Sequence, residues 1–266
     1  MCDKLPIIST TDIESLYDYM HSFANSPSGI YERSFVCGIP PLKILAIETT
    51  ERQGSIALYE SASLQHHHTL PANDRSAATL APEIKAVCAR HNWTLSDIDR
   101  IAVTTGPGSF TGLRVGIVTA KTLGYALGRD VVGINTLDAI ALQANHVGEL
   151  EVVMDAQRNE VFSRRYLLES ESFPKPLNDI TIIDDQLWVA QLPDGVKVTG
   201  PVLKKLNDRL GARIETELES NWAPRADSVA RLAAVTQPID SPFKLMPEYF
   251  RKSAAEEKHQ QAQNET

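Results

Sequence analysis

The chain has 266 residues, of which 42% are hydrophobic and 23% are charged, so it is long enough to form one large or two modest cores. A formal net charge of -8 and a pI near 5.4 argue against unaided binding of nucleic acid, because such a surface repels polyphosphate. Cys2, Cys37 and Cys88 are an odd and widely spaced set that fits neither a disulfide framework nor a zinc site. This cysteine usage favours a reducing cytosol.

Residues 1–40 are predicted to be an N-terminal extension. The stretch TDIESLYDYMHSF could form a short helix capped by Thr11, and the residues after it are typical of a loop. The first residues lack the basic start and apolar segment of an export signal, and no run in the sequence reaches the apolar length of a membrane span. We therefore expect a cytoplasmic protein without a membrane segment.

A first lobe is predicted over residues 41–147. The runs KILAIETT, SIALYE and LQHHHTL predict a β-meander, and DRSAATLAPEIKAVCARHNW places Leu80, Ile84, Val87 and Cys88 at helical spacing. A strand (RIAVTT), a helix (FTGLRVGIVTAKTLGYAL), a strand (DVVGIN) and a helix (TLDAIALQAN) follow. This alternation is typical of an α/β lobe with a mixed sheet.

A second lobe is predicted over residues 148–252, and its start repeats the first. EVVMDAQRNEVFSRRYLL is again an apolar strand, an acidic residue, a polar turn and a returning strand, so Glu48 and Asp155 occupy equivalent places in two hairpins. The later elements are shorter, and residues 253–266 are polar without an apolar stripe, which predicts a disordered tail. The order of the strands in each sheet does not follow from these patterns.

The glycine-rich stretch TTGPGSFTGLRVG connects a strand to a helix. It is not a P-loop, because Leu113 and Arg114 follow Gly112 where a lysine and a hydroxyl residue are needed. A dinucleotide site is disfavoured because the nearest acidic residue, Asp130, precedes the next strand instead of ending it. The remaining interpretation is a strand-to-helix turn in which Ser109 or Thr111 caps the helix.

The helix after this turn carries Gly112, Gly116, Ala120 and Gly124 at intervals of four residues. Each glycine inside a helix costs about 1 kcal/mol relative to alanine, so close approach of another backbone is expected to compensate. The small residues would form a groove that accepts either the protein's own sheet or another subunit. Both alternatives remain open at this point.

The ordered motifs KILAIETT, LAPEI, DIDRIAVTTGPGSFTGLRVGI, GINTLDAIA, MDAQRNEVF and PEYFR resemble the bacterial TsaB family, also called YeaZ. The resemblance covers Lys43 to about Arg251. It implies a two-lobed actin-like ATPase fold, which is ribonuclease H-like, with duplicated lobes, mixed β-sheets and a reduced second lobe. It also implies a non-catalytic subunit that supports the catalytic homologue TsaD in attaching a threonylcarbamoyl group to a tRNA adenosine beside the anticodon. The ATPase TsaE is a further implied partner, and tRNA would be contacted only through the complex.

The resemblance also implies two sets of functional residues. Helices matching residues 76–91 and 111–127 would contact TsaD, or a second copy of this chain when it is alone. The interface residues expected from this match are Leu80, Ile84, Phe110, Thr111, Gly112, Arg114, Val115, Gly116, Thr119 and Ala120. A cleft that could hold ATP or ADP with Mg²⁺, although no cofactor is expected to be required, would use Glu48, Thr49, Thr50, Gly106, Gly108 and Asp155.

The sequence departs from the family pattern at several positions. Glu48 stands where the family usually has aspartate, and Asn159 replaces a glycine while still tolerating a positive φ. Thr136 and Ile140 occupy the places of the His-x-x-x-His pair of the catalytic homologues, so we expect no metal-dependent transfer chemistry from this chain.

Other candidate chemistry is weak. Residues His66, His67 and His68 alternate between the faces of a strand and are expected at an exposed edge or loop, Ser109 lacks the frame of a nucleophile elbow, and Cys88 is expected in the core. Two alternative functions remain, an independent nucleotide hydrolase or protease using Glu48 and Asp155, and a self-associating module.

Overall fold

The computed structural model describes residues 42–61, 63–71, 77–212 and 214–251. Within these ranges the chain forms two mixed β-sheets with helices packed against them, which is the predicted α/β architecture. The helix predicted after Thr11 and the tail predicted over 253–266 lie outside the described residues. In the part of the chain that the structure describes, no helix is long and apolar enough to cross a membrane.

The first sheet contains five strands: β1 (Lys43–Glu48), β2 (Ser55–Glu60), β3 (Ser63–Thr69), β4 (Arg100–Gly106) and β5 (Asp130–Asn135). Their spatial order is β3-β2-β1-β4-β5, in which β1, β2 and β3 form the predicted antiparallel meander and β4 and β5 run parallel to β1. The sheet is buried on both faces. Alternate residues of β1 point into two separate hydrophobic clusters, which explains why its sequence is continuously apolar.

Three helices follow these strands: α1 (Ala77–Arg90), α2 (Phe110–Leu127) and α3 (Thr136–Ala141). The side chain of Ser109 accepts a hydrogen bond from the backbone N–H of Gly112 and caps α2, as one of the two predicted caps. The helix ends at Gly128, whose φ of 61° is the left-handed conformation that glycine tolerates. Helix α1 and the inner side of α2 cover one face of the first sheet with the side chains of Leu80, Ile84 and Ile117.

The second sheet contains six strands: β6 (Gly148–Gln157), β7 (Glu160–Leu168), β8 (Lys175–Pro176), β9 (Thr181–Asp184), β10 (Lys197–Thr199) and β11 (Glu215–Thr216). Their order is β11-β10-β6-β7-β8, and β9 also pairs with β7. An antiparallel hairpin of β6 and β7 is followed by β10 and β11, which run parallel to β6. This repeats the plan of the first sheet with a longer hairpin and shorter outer strands, so the predicted duplication with a reduced second lobe is confirmed.

Two short helices, α4 (Asp185–Gln191) and α5 (Leu203–Leu210), complete the second lobe. Trp188 of α4 and Leu203, Leu206 and Leu210 of α5 pack with Val198 of β10 in one apolar cluster. The side chain of Asp184 caps α4 by accepting hydrogen bonds from two backbone N–H groups. The second sheet and these two helices therefore enclose a separate hydrophobic core within the second lobe.

The last helix, α6 (Ala226–Val235), returns to the first sheet. Its buried residues Val229 and Ala230 pack in the same cluster as Ile44, Ala46 and Ala57. The predicted second lobe of 148–252 is therefore too long at its C-terminal end. Helix α6 belongs to the first lobe, because it covers the apolar face of the first sheet that α1 and α2 do not cover.

Candidate functional site

The loops after β1 and β4 meet at the predicted phosphate cleft. Glu48, Thr49 and Thr50 are all buried, and one carboxylate oxygen of Glu48 accepts hydrogen bonds from the backbone N–H of Thr50, at 2.6 Å, and from the hydroxyl of Thr50. The carbonyl of Thr50 in turn accepts a hydrogen bond from the backbone N–H of Ser109, at 2.9 Å. The carboxylate of Glu48, at the end of β1, thus fixes the loop that follows this strand.

Thr50 also packs directly against the glycine turn. A Cβ at Gly108 would overlap the Cβ of Thr50 and lie 3.0 Å from its methyl carbon, so only glycine fits there. At Gly106 a Cβ would lie 2.7 Å from the carbonyl oxygen of Glu248. Five of the six predicted cleft residues are thereby brought together, and atoms of the chain itself fill the space beside the two glycines.

The sixth predicted cleft residue, Asp155, is held by contacts within the second lobe. Its carboxylate accepts a hydrogen bond from the backbone N–H of Gln157, at 2.9 Å, and forms an ion pair with Lys205 of α5. It lines a cavity of about 270 Å³ together with other residues of the second lobe, among them Asn159 and Asp185. Asn159 has a φ of 60°, as its replacement of glycine predicts. ATP or ADP with Mg²⁺ stays a prediction.

The small-residue side of α2 faces the protein's own interior. A Cβ at Gly112 would overlap the carbonyl oxygen of Thr49, and one at Gly116 would overlap the hydroxyl of Thr49 and lie 3.1 Å from Val103. Of the two open alternatives, the groove therefore accepts the chain's own sheet and loop. The predicted interface is corrected at five residues that are buried in the first lobe: Leu80, Ile84, Gly112, Gly116 and Ala120.

The opposite side of α2 is exposed and carries three large apolar side chains beside Arg114. Phe110, Val118 and Tyr125 are 39%, 56% and 69% exposed, and the guanidinium of Arg114 lies 3.9 Å from the centre of the Phe110 ring. Thr111 is exposed as well. Val115 and Thr119, the other predicted interface residues, are half-buried at the border of this side and are joined by a hydrogen bond from the Thr119 hydroxyl to the Val115 carbonyl, at 2.8 Å.

Residues from the C-terminal part of the chain extend this exposed side. The ring of Tyr249 stacks on Phe110 with centroids 4.9 Å apart, and the ring of Phe243 lies 5.2 Å from that of Tyr125. Met246 is exposed nearby in sequence. We call this surface the docking face and define it by Phe110, Arg114, Val118, Tyr125, Phe243 and Tyr249. The sequence analysis did not name Val118 and Tyr125, although a helical projection places both on the arc opposite the glycines.

Comparison with known proteins agrees with this geometry. A family model described as TsaD: tRNA N6-adenosine threonylcarbamoyltransferase matches residues 70–199. An uncharacterized protein of Mycobacterium tuberculosis is 30% identical over 225 residues, which are 80% of this chain and 93% of that protein. The tRNA threonylcarbamoyladenosine biosynthesis protein TsaB of Bacillus subtilis is 25% identical over 230 residues, 82% of this chain and 97% of that protein. This chain belongs to the TsaB (YeaZ) family.

A solved structure of a protein named YeaZ has the same fold as this chain. YeaZ from Pseudomonas aeruginosa superposes with a TM-score of 0.66 at 22% identity and covers 79% of this chain and 100% of that chain. Together with the repeated sheet order, this confirms the predicted actin-like, two-lobed fold. Thr136 and Ile140, which the sequence aligns with the histidine pair of the catalytic homologues, are both buried in α3. Among the described residues, no group of three or more His, Cys, Asp or Glu side chains could hold a metal ion.

The histidines of β3 are half-buried at the edge of the first sheet and alternate between its faces. The rings of His66 and His91 lie 4.4 Å apart, His68 approaches Glu83 of α1 at 3.0 Å, and His67 lies 4.0 Å from Asp227 of α6. The three histidines therefore lie on an edge strand, as predicted, but they are half-buried and not exposed. Cys88 is buried as predicted, and burial raises the pKa of its thiol to about 11, so it is a poor nucleophile.

Folding should become less favourable as the pH falls from 7 to 5. Burial lowers the pKa of His66, and the positive charges of His91 and His68 lower it further. The folded state therefore binds fewer protons than the unfolded state, so stability falls as the pH drops through the unfolded histidine pKa and levels off below the folded one. Urea unfolding at pH 7 and pH 5 measures this loss, and His66→Asn should reduce it. An identical pH dependence in the variant would contradict the assignment to His66.

Proposed function

We propose that this protein acts in the biosynthesis of threonylcarbamoyladenosine in tRNA, as a non-catalytic subunit that binds and supports a TsaD-type transferase. Its membership in the TsaB family supports the pathway. The observation that carries the subunit role is the docking face, which is built from aromatic, apolar and arginine side chains. These are the residue types enriched in the centres of protein–protein interfaces.

The docking face is also placed on a rigid support. The inner side of α2 is held without a gap against β1, β4 and the Thr49 loop, because glycines allow the backbones to meet. The hydroxyl of Thr49 donates a hydrogen bond to the carbonyl of Gly112, at 2.8 Å, deep in this contact. A helix fixed in this way presents its outer side chains with little loss of freedom on binding, which favours affinity.

A catalytic role for the isolated chain is not favoured by the residues at the loop site. Glu48 holds its own loop through Thr50, and Thr50 fills the space beside Gly108. The alternative of a stand-alone nucleotide hydrolase would require these loops to separate before phosphate could approach. We therefore assign the chemistry to the partner and the positioning of that partner to this chain, with TsaE and tRNA joining through the complex in the cytoplasm.

The test is association with TsaD from the same host. The chain should form a stable complex on size-exclusion chromatography. Val118→Asp should raise the dissociation constant of this complex at least about tenfold, because a carboxylate would be buried without a partner. Leu187→Asp is the matched control, since Leu187 is 49% exposed on α4 of the second lobe and should leave binding unchanged. Absence of a complex between two folded proteins would contradict the proposed function, and full binding by Val118→Asp would contradict the docking face.

A second copy of this chain is the other candidate partner for the same face. The face carries exposed apolar side chains from both α2 and the segment around Phe243, and we propose that it pairs with itself when TsaD is absent. Sedimentation velocity of the chain alone should show a dimer that Val118→Asp converts to a monomer. Added TsaD should displace the second copy, because the two partners compete for one surface.

A further inference from the structure

The segment of residues 247–251, here called the strap, contacts both lobes. Its first anchor is Glu248, whose backbone N–H donates to the carbonyl of Thr105 at 2.8 Å. The hydroxyl of Thr105 donates to one carboxylate oxygen of Glu248 at 3.0 Å, and the side-chain amide of Asn135 approaches the other at 3.4 Å. Glu248 is therefore held through its backbone and its carboxylate by the first lobe.

The second anchor of the strap lies in the second lobe, only two residues further on. The ring of Phe250 packs edge-on against Phe162 of β7, with centroids 6.0 Å apart. The guanidinium of Arg251 donates a hydrogen bond to the carbonyl of Ala156 at 2.9 Å and forms an ion pair with Glu160. Both of these residues belong to the hairpin of β6 and β7, next to the turn at Asn159.

The first anchor occupies a place where α/β folds accept ligands. Thr105 and Asn135 stand at the carboxyl ends of the neighbouring parallel strands β4 and β5, and ligands of open α/β sheets bind outside such strand ends. The carbonyl of Glu248 rests on Gly106, where a Cβ would come within 2.7 Å of it. The strap thus fills this crevice with a carboxylate and a backbone segment of the chain itself.

The two lobes are also joined elsewhere, through α3. Leu137 and Ile140 of this helix share a buried cluster with Leu150 and Tyr166 of the second sheet. The hydroxyl of Tyr166 donates to the carboxylate of Asp138 at 2.6 Å. Phe250 of the strap packs at the border of this same cluster, so the strap adds the hydrogen bond and ion pair of Arg251 and the contacts of Glu248 to the core contact at α3.

We propose that the strap is a latch, which holds the two lobes closed about the joint at α3 and seals the crevice at the ends of β4 and β5. Hinge closure in two-lobed proteins is driven by a ligand that contacts both lobes, and here the strap makes those contacts as a permanent internal ligand. Release of the strap would free the lobes to rotate about α3 and open the crevice to solvent. This inference does not depend on the proposed function, because it concerns only contacts within the chain.

The test measures the separation of the lobes after the second anchor is removed. Spin labels at Arg52 in the first lobe and Gln186 in the second, in a background with the native cysteines replaced, report the interlobe distance by electron–electron dipolar spectroscopy. The protein should give one narrow distribution. Phe250→Ala/Arg251→Ala should broaden it about twofold or add a longer distance, because lobes joined only at a hinge sample several angles.

The control is Lys175→Ala/Leu177→Ala, which removes a lysine whose ion-pair partner is Glu169 and an exposed apolar side chain, both outside the strap and the docking face. It should keep the narrow distribution. Arg251→Gln alone removes the ion pair with Glu160 and should broaden the distribution to a smaller extent. If the double variant does not fold, this single variant tests the latch. A distribution unchanged from that of the protein in folded Phe250→Ala/Arg251→Ala or in Arg251→Gln would overturn the latch.

Discussion

Replacing Gly112 by alanine is expected to destabilise the protein by about 3 kcal/mol or more, because the new Cβ overlaps a backbone carbonyl that cannot move aside. The carbonyl oxygen of Thr49 lies in that position, and the carbonyl carbon of Thr49 is only 3.0 Å away. The sign of the effect is informative. If Gly112 faced solvent or an empty groove, alanine would stabilise the helix by about 1 kcal/mol. Urea unfolding followed by circular dichroism measures the difference.

Two variants in the same helix calibrate that result. Gly124→Ala should cost less than Gly112→Ala, because its Cβ would overlap a methyl group of the buried Val131 but approach no backbone atom outside α2 closer than 3.4 Å. Ala126→Gly, at an exposed position of α2, should lose about 1 kcal/mol through helix propensity alone. Stabilisation by Gly112→Ala would show that the small-residue side of α2 points outward, and the assignment of the docking face to the opposite side would then be wrong.

Replacing Glu151 by alanine is expected to cost about 3 kcal/mol, since it leaves several buried donors without an acceptor. One carboxylate oxygen of Glu151 accepts hydrogen bonds from the hydroxyl of Ser163 and from the indole N–H of Trp188, the latter at 3.3 Å. The other accepts one from the guanidinium of Arg165 at 3.0 Å. Ser163 and Trp188 are both buried, so only water entering the adjacent cavity of about 170 Å³ could replace the lost acceptor.

Glu149→Ala is the matched control for this variant. Glu149 lies two residues earlier on β6 and approaches the same Arg165 at 3.7 Å, but its side chain is 53% exposed whereas that of Glu151 is 7% exposed. Exposed ion pairs contribute about 0 to 1 kcal/mol, so this substitution should change the midpoint of urea unfolding very little. Equal losses in the two variants would mean that burial of the carboxylate is not what makes Glu151 important.

The parts of the fold that follow local patterns could be predicted from the sequence. The meander was visible because β1 and β2 are continuous apolar runs separated by a polar turn, and the second hairpin repeats this pattern with Asp155 in the place of Glu48. Glu48 and Asp155 do occupy equivalent positions, since each lies at or near the end of the first strand of its sheet. Their meeting in one cleft stays a prediction.

The direction of the glycine groove could not be predicted from its spacing. Glycines at intervals of four residues require a close neighbour, but the requirement is met equally well by a loop of the same chain or by another subunit. The structure places the Thr49 loop there, and this contact depends on residues more than 60 positions apart in sequence. For the same reason the return of α6 to the first sheet has no local signal, because its alanine-rich face would fit many apolar surfaces.

The return of α6 makes the first lobe discontinuous in sequence, and this sets the order of events on the ribosome. Domains generally fold as they emerge, beginning with the N-terminal one. Here β1 to β5 leave the exit tunnel long before α6, so Ile44, Ala46 and Ala57 lack their cover until nearly the whole chain has been synthesised. The nascent first sheet would therefore keep one apolar face uncovered while the second lobe is translated.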